Sequence, residues 1–165
     1  MAMSEVKLQR IEAKPPEGAQ MIIGQAHFIK TVEDLYEALA TSSTVIKFGL
    51  GFCESSGPCL VRHDGNDESL ANLAAELAFR IGAGHVFVIL MREAFPISIL
   101  NKVKMTEEVA TVFCATGNPV SLLIAEDDTG RGVLGVIDGA RPIGIETEQD
   151  RERRHEFLRK IGYKR

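Results

Sequence analysis

Residues 82–85, Gly82-Ala83-Gly84-His85, run straight into six consecutive apolar residues, 86–91. An imidazole can move a proton, bind a metal or carry a phosphoryl group. The glycine turn leaves room for a bulky group on the ring of His85, and a buried strand behind it would fix the ring's direction. The same histidine could instead bond a backbone carbonyl and close a sheet edge. Thr116-Gly117-Asn118-Pro119 is a second polar stretch, placed just after an apolar segment. Ligands of α/β sheets gather at such strand ends. Thr116 supplies a hydroxyl there, and the Asn118 amide can read a purine edge or a ribose hydroxyl with donor and acceptor together. A plain turn would use the same residues. Asp138-Gly139 also ends an apolar segment, and Asp138 could orient a histidine, bind Mg²⁺, hold a ribose or simply turn the chain. His27 lies close to Lys30, and Glu54 precedes Ser55 and Ser56. Arg131 could face a phosphate.

Several common chemistries are absent. Residues 130–135, Gly130-Arg131-Gly132-Val133-Leu134-Gly135, have the Gly-x-Gly-x-x-Gly spacing. A dinucleotide site needs a helix after that motif, because the helix N-terminus holds the pyrophosphate. Here a strand-like Val136-Ile137-Asp138 follows, so the glycines are assigned to a hairpin and a strand. There is no P-loop, no kinase signature set and no Cys-x-x-Cys or His-x-x-x-His pair. No metal site is assigned. His63 and His155 sit among charged residues and are read as surface groups, and Cys114 as a small core residue.

The elements that must carry these groups follow from periodicity. Residues 6–11 suggest an edge strand and 21–23 a short core strand. Thr31-Val32-Glu33-Asp34 has capping-box spacing ahead of a helix running to about residue 40. Residues 45–53 read as a core strand interrupted by Gly49 and Gly51, which implies a bulge or close approach by a ligand or another backbone. Residues 59–62 read as its hairpin partner and 63–67 as a loop. Leu70, Leu73, Ala74, Leu77, Ala78 and Ile81 form one helical face that stops at Gly82. Beyond the strand at 86–91, Pro96 opens a short helix over 97–103. Strands are expected at 109–114, 120–125 and 133–138, an irregular segment at 141–150, and a helix over 151–161. Strands interleaved with helices indicate an α/β or α+β fold. Helices enough to cover both faces, together with hairpins, indicate a mixed sheet.

Composition sets the frame. The 165 residues are 45% hydrophobic and 25% charged with net charge -4, ordinary for one globular domain over 1–165. That charge gives no global bias toward nucleic acid or an anionic membrane. The basic residues of the C-terminal run read as a solvated helix face. No apolar run is long enough to span a bilayer, and the polar residues 1–10 hold no signal-peptide core. Three cysteines, an odd number, are expected as reduced thiols in a cytoplasm.

Several stretches together resemble one family. They include residues 24–39, Lys47-Phe48-Gly49, Phe52-Cys53-Glu54, Gly65-Asn66-Asp67, Gly82-Ala83-Gly84-His85 and Phe95-Pro96-Ile97. They continue through Phe113-Cys114-Ala115-Thr116, Asn118-Pro119, residues 130–136 and Lys160-Ile161-Gly162-Tyr163-Lys164. The chain is similar to the adenosine-specific kinases, a small family found mostly in archaea. The resemblance implies a three-layer αβα sandwich, a homotrimer, binding of adenosine or AMP, and a phosphorylated histidine. On that basis His85 is expected to accept the phosphoryl group, with Asp138 and Arg131 as its catalytic partners. Asn118, Thr116, Glu54, His27 and Lys30 would contact the substrate. No cofactor is assigned; a nucleotide phosphoryl donor would bring Mg²⁺ with it. The alternatives are a non-catalytic adenosine or AMP sensor and an oligomeric structural protein. One geometric condition follows: the start of the His85 strand must face the ends of the strands carrying Glu54, Asn118 and Asp138.

Overall fold

The computed structural model describes residues 5–165; the first four residues of the polar N-terminal stretch lie outside it. Residues 86–91 are all buried and belong to β5 (Val86–Arg92). This strand occupies the centre of a five-stranded sheet. The other members are β2 (Gln20–Ala26), β3 (Lys47–Cys53), β4 (Val61–Gly65) and β6 (Val109–Thr116), in the order β4-β3-β5-β2-β6. Alternation along β5 sends its side chains to two cores. Val86, Val88 and Leu90 pack with helix α2 (Glu68–Ile81) and with a second sheet. Phe87, Ile89 and Met91 pack with α1 (Thr31–Ala40) and α3 (Pro96–Met105). A continuous apolar run is required because both faces are covered. The second sheet is three-stranded, in the order β1 (Lys7–Ala13), β7 (Val120–Glu126), β8 (Arg131–Asp138). Helix α4 (Glu148–Lys160) ends the chain and buries none of its residues. Among the described residues no helix is long and apolar enough to cross a membrane.

The fold is the expected α/β sandwich, but the expected mixed sheet is two sheets in which every neighbouring pair is antiparallel. The helices α1, α2 and α3 do join strands that run the same way, as crossovers must. Each such pair is split by an antiparallel strand: β5 lies between β2 and β3, β3 between β4 and β5, and β2 between β5 and β6. This split β-α-β arrangement decides which strand ends meet.

Local signals explain the helix positions. Asp67 accepts the Leu70 amide at 3.0 Å and caps α2, and Gly82 ends it at φ 60°. Gly49 and Gly51 sit where α2 crosses β3. A Cβ on Gly51 would meet the Ala74 carbonyl oxygen at 2.7 Å, and one on Gly49 would collide with the backbone of Leu70 and Ala71. The close approach is therefore by another backbone. The capping box expected at Thr31 does not form. The Thr31 hydroxyl is buried and donates to the carbonyls of Phe28 (2.6 Å) and His27 (3.2 Å), and Asp34 instead takes Lys30. The same spacing makes a true capping box at Thr147 and Asp150, inside the segment expected to be irregular. The loop expected at 63–67 is partly strand, since β4 runs on to Gly65.

Candidate functional site

His85 is the residue before β5, and its backbone is held in an uncommon conformation, φ 64°. Three hydrogen bonds over-determine that geometry. Its amide donates to the Cys53 carbonyl at 2.8 Å, its carbonyl accepts from the Ala26 amide at 2.9 Å, and the Val86 amide donates to Ala83 at 3.2 Å. A left-handed non-glycine residue held this way is strained, and such strain collects at functional sites. The ring is equally constrained. It stacks on Phe52, centroids 6.0 Å apart, and Nε2 lies 2.8 Å from the Ser55 hydroxyl. Gly84 makes this contact possible: a Cβ there would sit 2.8 Å from the Ser55 Cβ. The His27 ring stands edge-on to His85 at 5.8 Å.

The antiparallel neighbours bring these groups together. The end of β3 delivers Glu54 and Ser55, and the end of β2 delivers His27, both beside the start of β5. Next to Ser55 and Gly84 opens a cleft of about 440 Å³, also lined by Glu54, Leu60, Phe79 and Arg131. Phe79 and Leu60 are exposed, at 75% and 52%, and give the cleft an apolar wall. Arg131 hydrogen-bonds the carbonyls of Arg80 and Ile81 at the end of α2 (3.3 and 3.4 Å) and pairs with Glu126 at 3.2 Å. Its guanidinium thereby complements the helix dipole while presenting positive charge to the cleft.

Glu54 is occupied by its own turn. It accepts the Leu60 amide at 2.9 Å and the Arg62 guanidinium at 2.8–2.9 Å. The Leu60 amide first, then Arg62, hold its carboxyl below the ordinary value of 4.5. A carboxylate whose folded value is depressed contributes stability above its unfolded value, and this is lost as pH falls through the folded one. Thermal melts across acid pH are therefore expected to show a steeper loss of Tm below about pH 4.5 in the native protein than in Glu54→Gln. Superimposable acid limbs would show that the turn does not depend on this charge. Lys30 is similarly engaged, with Asp34 at 2.6 Å and Glu108 at 3.6 Å.

Thr116, Asn118 and Asp138 do not join this group. The Thr116 hydroxyl and the Asn118 amide both donate to one oxygen of Asp138, at 3.0 and 3.1 Å. That network lies at the other end of the sheet. Thr116 pairs with Met21, whereas Ala26, beside His85, pairs with Val109. Five residues of strand separate the two ends, about 17 Å. The cause is the α3 crossover, which makes β6 run with β5, so the end of β6 is remote from the start of β5. The geometric condition is met by Glu54 and fails for Asn118 and Asp138. Asp138→Ala is accordingly expected to leave phosphoryl uptake at the His85 end within about twofold of the native level, as for independent distant sites. A loss of tenfold or more in a labelling assay would contradict the separation.

Ser55, Phe52 and Phe79 belong to the site although their residue types and spacing do not mark them for it. Ser55 lies 30 positions before His85 and in sequence is only part of a turn; the strand pairing alone brings it to the imidazole. The Cys53 and Cys114 thiols, each buried, are pushed up to about 11 by that burial and are not reactive groups. Among the described residues no group of three or more His, Cys, Asp or Glu side chains is placed to hold a metal ion. A Mg²⁺ arriving with a nucleotide would take its ligands chiefly from the phosphates.

Residues 11–164 match the family described as "Adenosine specific kinase". Among solved structures, the chain is similar to the PH1918 protein from Pyrococcus horikoshii OT3. The two are 46% identical, the alignment covers 98% of this chain and 99% of that one, and the TM-score is 0.93. No curated protein matches.

Proposed function

Starting from a chain that belongs to the adenosine-specific kinase family, we propose that it is a phosphotransferase acting on adenosine through a phosphohistidine at His85. The observation that carries this reading is the constrained imidazole beside the cleft: strained at φ 64°, stacked on Phe52 and bonded to Ser55. In the tautomer in which Nε2–H donates to the Ser55 hydroxyl oxygen, Nδ1 carries the lone pair and is the nucleophile. Its lone pair attacks the terminal phosphorus of the donor, an N–P bond forms and the P–O bond to the leaving nucleotide breaks. In the second transfer an adenosine hydroxyl oxygen attacks phosphorus, the N–P bond breaks and its electron pair returns to the imidazole. The hydroxyl proton passes to His27, the nearest other imidazole. Splitting the transfer makes each step easier, and Arg131 supplies the positive field that phosphoryl oxygens need. Phe79 and Leu60 offer an apolar wall for the base, and the cleft volume suits a nucleoside.

The same reading includes AMP as a ligand, a cytoplasmic setting and a homotrimer. Self-association is supported by apolar side chains left uncovered on the C-terminal arm, Ile143 and Ile145 fully and Phe157 by 57%. Calorimetric titration with adenosine, AMP and ATP, followed by a coupled assay for nucleotide products, tests the function. Adenosine binding with transfer is expected. Tight binding with no transfer would leave a nucleoside sensor, and no binding would overturn the reading.

A further inference from the structure

Glu108 is a buried acid with no hydrogen-bond donor opposite either carboxylate oxygen, and its side chain is only 7% exposed. It sits in the turn between α3 and β6. Its backbone carbonyl accepts the His27 amide at 2.7 Å. The other end of the His27 turn is held by the Thr31 hydroxyl, which bonds the carbonyls of His27 and Phe28. Phe28 within that turn has φ 79°, an outlier for a bulky residue. The segment that presents His27 to His85 is thus strained and clamped from two sides, and Glu108 is one of the clamps.

The charged groups around the Glu108 side chain come from two elements. Lys30 precedes α1 and Asp34 lies in its first turn; these two pair at 2.6 Å, and Lys30 is 3.6 Å from Glu108. Glu107, in the same turn as Glu108, adds negative charge near Lys30. A buried carboxylate that must share one lysine with a second carboxylate, and that lysine already engaged by the other acid, is an unfavourable arrangement unless a proton is shared between the acids. We propose that Glu108 is a positioning residue for the histidine site: its protonated carboxyl donates to Asp34 and locks the His27 turn against His85. This inference rests on the reading of His85 and His27 as the reactive pair.

Burial first, and Asp34 second, raise the Glu108 carboxyl above its ordinary value of 4.5. Lys30 holds the Asp34 carboxyl below its own ordinary value of 3.8. For a carboxyl raised in the folded state the sign is the reverse of the usual one. Its contribution to stability is complete below the unfolded value and is lost as pH rises through the folded value. The lock should therefore loosen on the alkaline side of the ordinary glutamate range.

The test uses Glu108→Gln, whose amide donates to Asp34 and cannot ionise, and Glu108→Ala, which removes the donor. Imidazole ¹⁵N shifts of His27 and His85 and melting temperature are followed from about pH 5 to about pH 9. The native protein is expected to show, beyond the histidine titrations, a coupled step in both rings and a parallel loss of Tm. Glu108→Gln is expected to lack both changes, and Glu108→Ala to resemble the native protein at high pH throughout. If Glu108→Ala does not fold, the comparison of native protein and Glu108→Gln decides alone. Superimposable profiles for those two would overturn the proposal. Profiles that differ as expected in a protein that never takes up phosphate would uphold the positioning role and sink the phosphohistidine reading.

Discussion

His85→Asn will lower phosphoryl transfer to adenosine by about 10⁴-fold or more, the scale of losing a nucleophile that acts with its partners as a unit. Asparagine is the informative replacement because it tolerates the left-handed backbone that His85 adopts at φ 64°. The three backbone hydrogen bonds that fix the turn remain available, so the melting temperature should change little. His27→Asn is expected to act differently. It leaves the nucleophile in place, so phosphate should accumulate on His85 while delivery to adenosine slows. Single-turnover labelling followed by an adenosine chase separates the two steps. Equal labelling of the native protein and His85→Asn would remove His85 from the mechanism.

Gly49→Ala will cost about 3 kcal/mol or more, the upper part of the range for overpacking a filled core. The added Cβ would collide with the backbone amide of Ala71 and the carbonyl carbon of Leu70. Neither can rotate aside, as the tip of a flexible side chain could. The helix must lift from β3, and the packing of Leu70 and Ala74, both fully buried, is lost with it. Because typical domains hold only about 5–15 kcal/mol of net stability, the denaturant midpoint should fall steeply. Gly132→Ala is the control. Nothing lies within 4 Å of the added Cβ, so stability should stay level or rise by about 0.5 kcal/mol. A Gly49→Ala protein with native stability would mean that α2 and β3 are not in backbone contact.

The parts of this fold that were legible in sequence are those written in short-range chemistry. Residues 86–91 are apolar without alternation because both faces of β5 are covered. Asp67 and Gly82 bracket α2 as cap and stop. The strand-like residues after Gly132 ruled out a dinucleotide loop, and β8 is indeed a strand. The capping-box spacing misleads at Thr31 and is honoured at Thr147. What separates them is burial: Thr31 turns inward to the His27 carbonyl, whereas Thr147 stands at an exposed helix start.

Less of the site was legible, because it depends on which strand ends meet. His85 and His27 come together because β2 and β5 are antiparallel neighbours. Asn118 and Asp138 have the residue types of a nucleoside site and form their own polar network. Residue type groups them with His85, and strand direction sets them apart. Ser55 was invisible for the opposite reason: a serine in a turn carries no signal until the pairing of β3 with β5 sets it 2.8 Å from an imidazole. Glu108 follows the same rule, since only the packing of the turn after α3 beside Lys30 makes a buried carboxyl without a hydrogen-bond partner of it.

The most direct test is the position of the phosphate. The protein is incubated with γ-labelled ATP, kept at neutral or alkaline pH to preserve an N–P bond, and digested for peptide mapping by mass spectrometry. An acid-labile phosphoryl group on His85 that adenosine discharges is expected. A phosphate that maps to another residue, or label that survives His85→Asn, would contradict it.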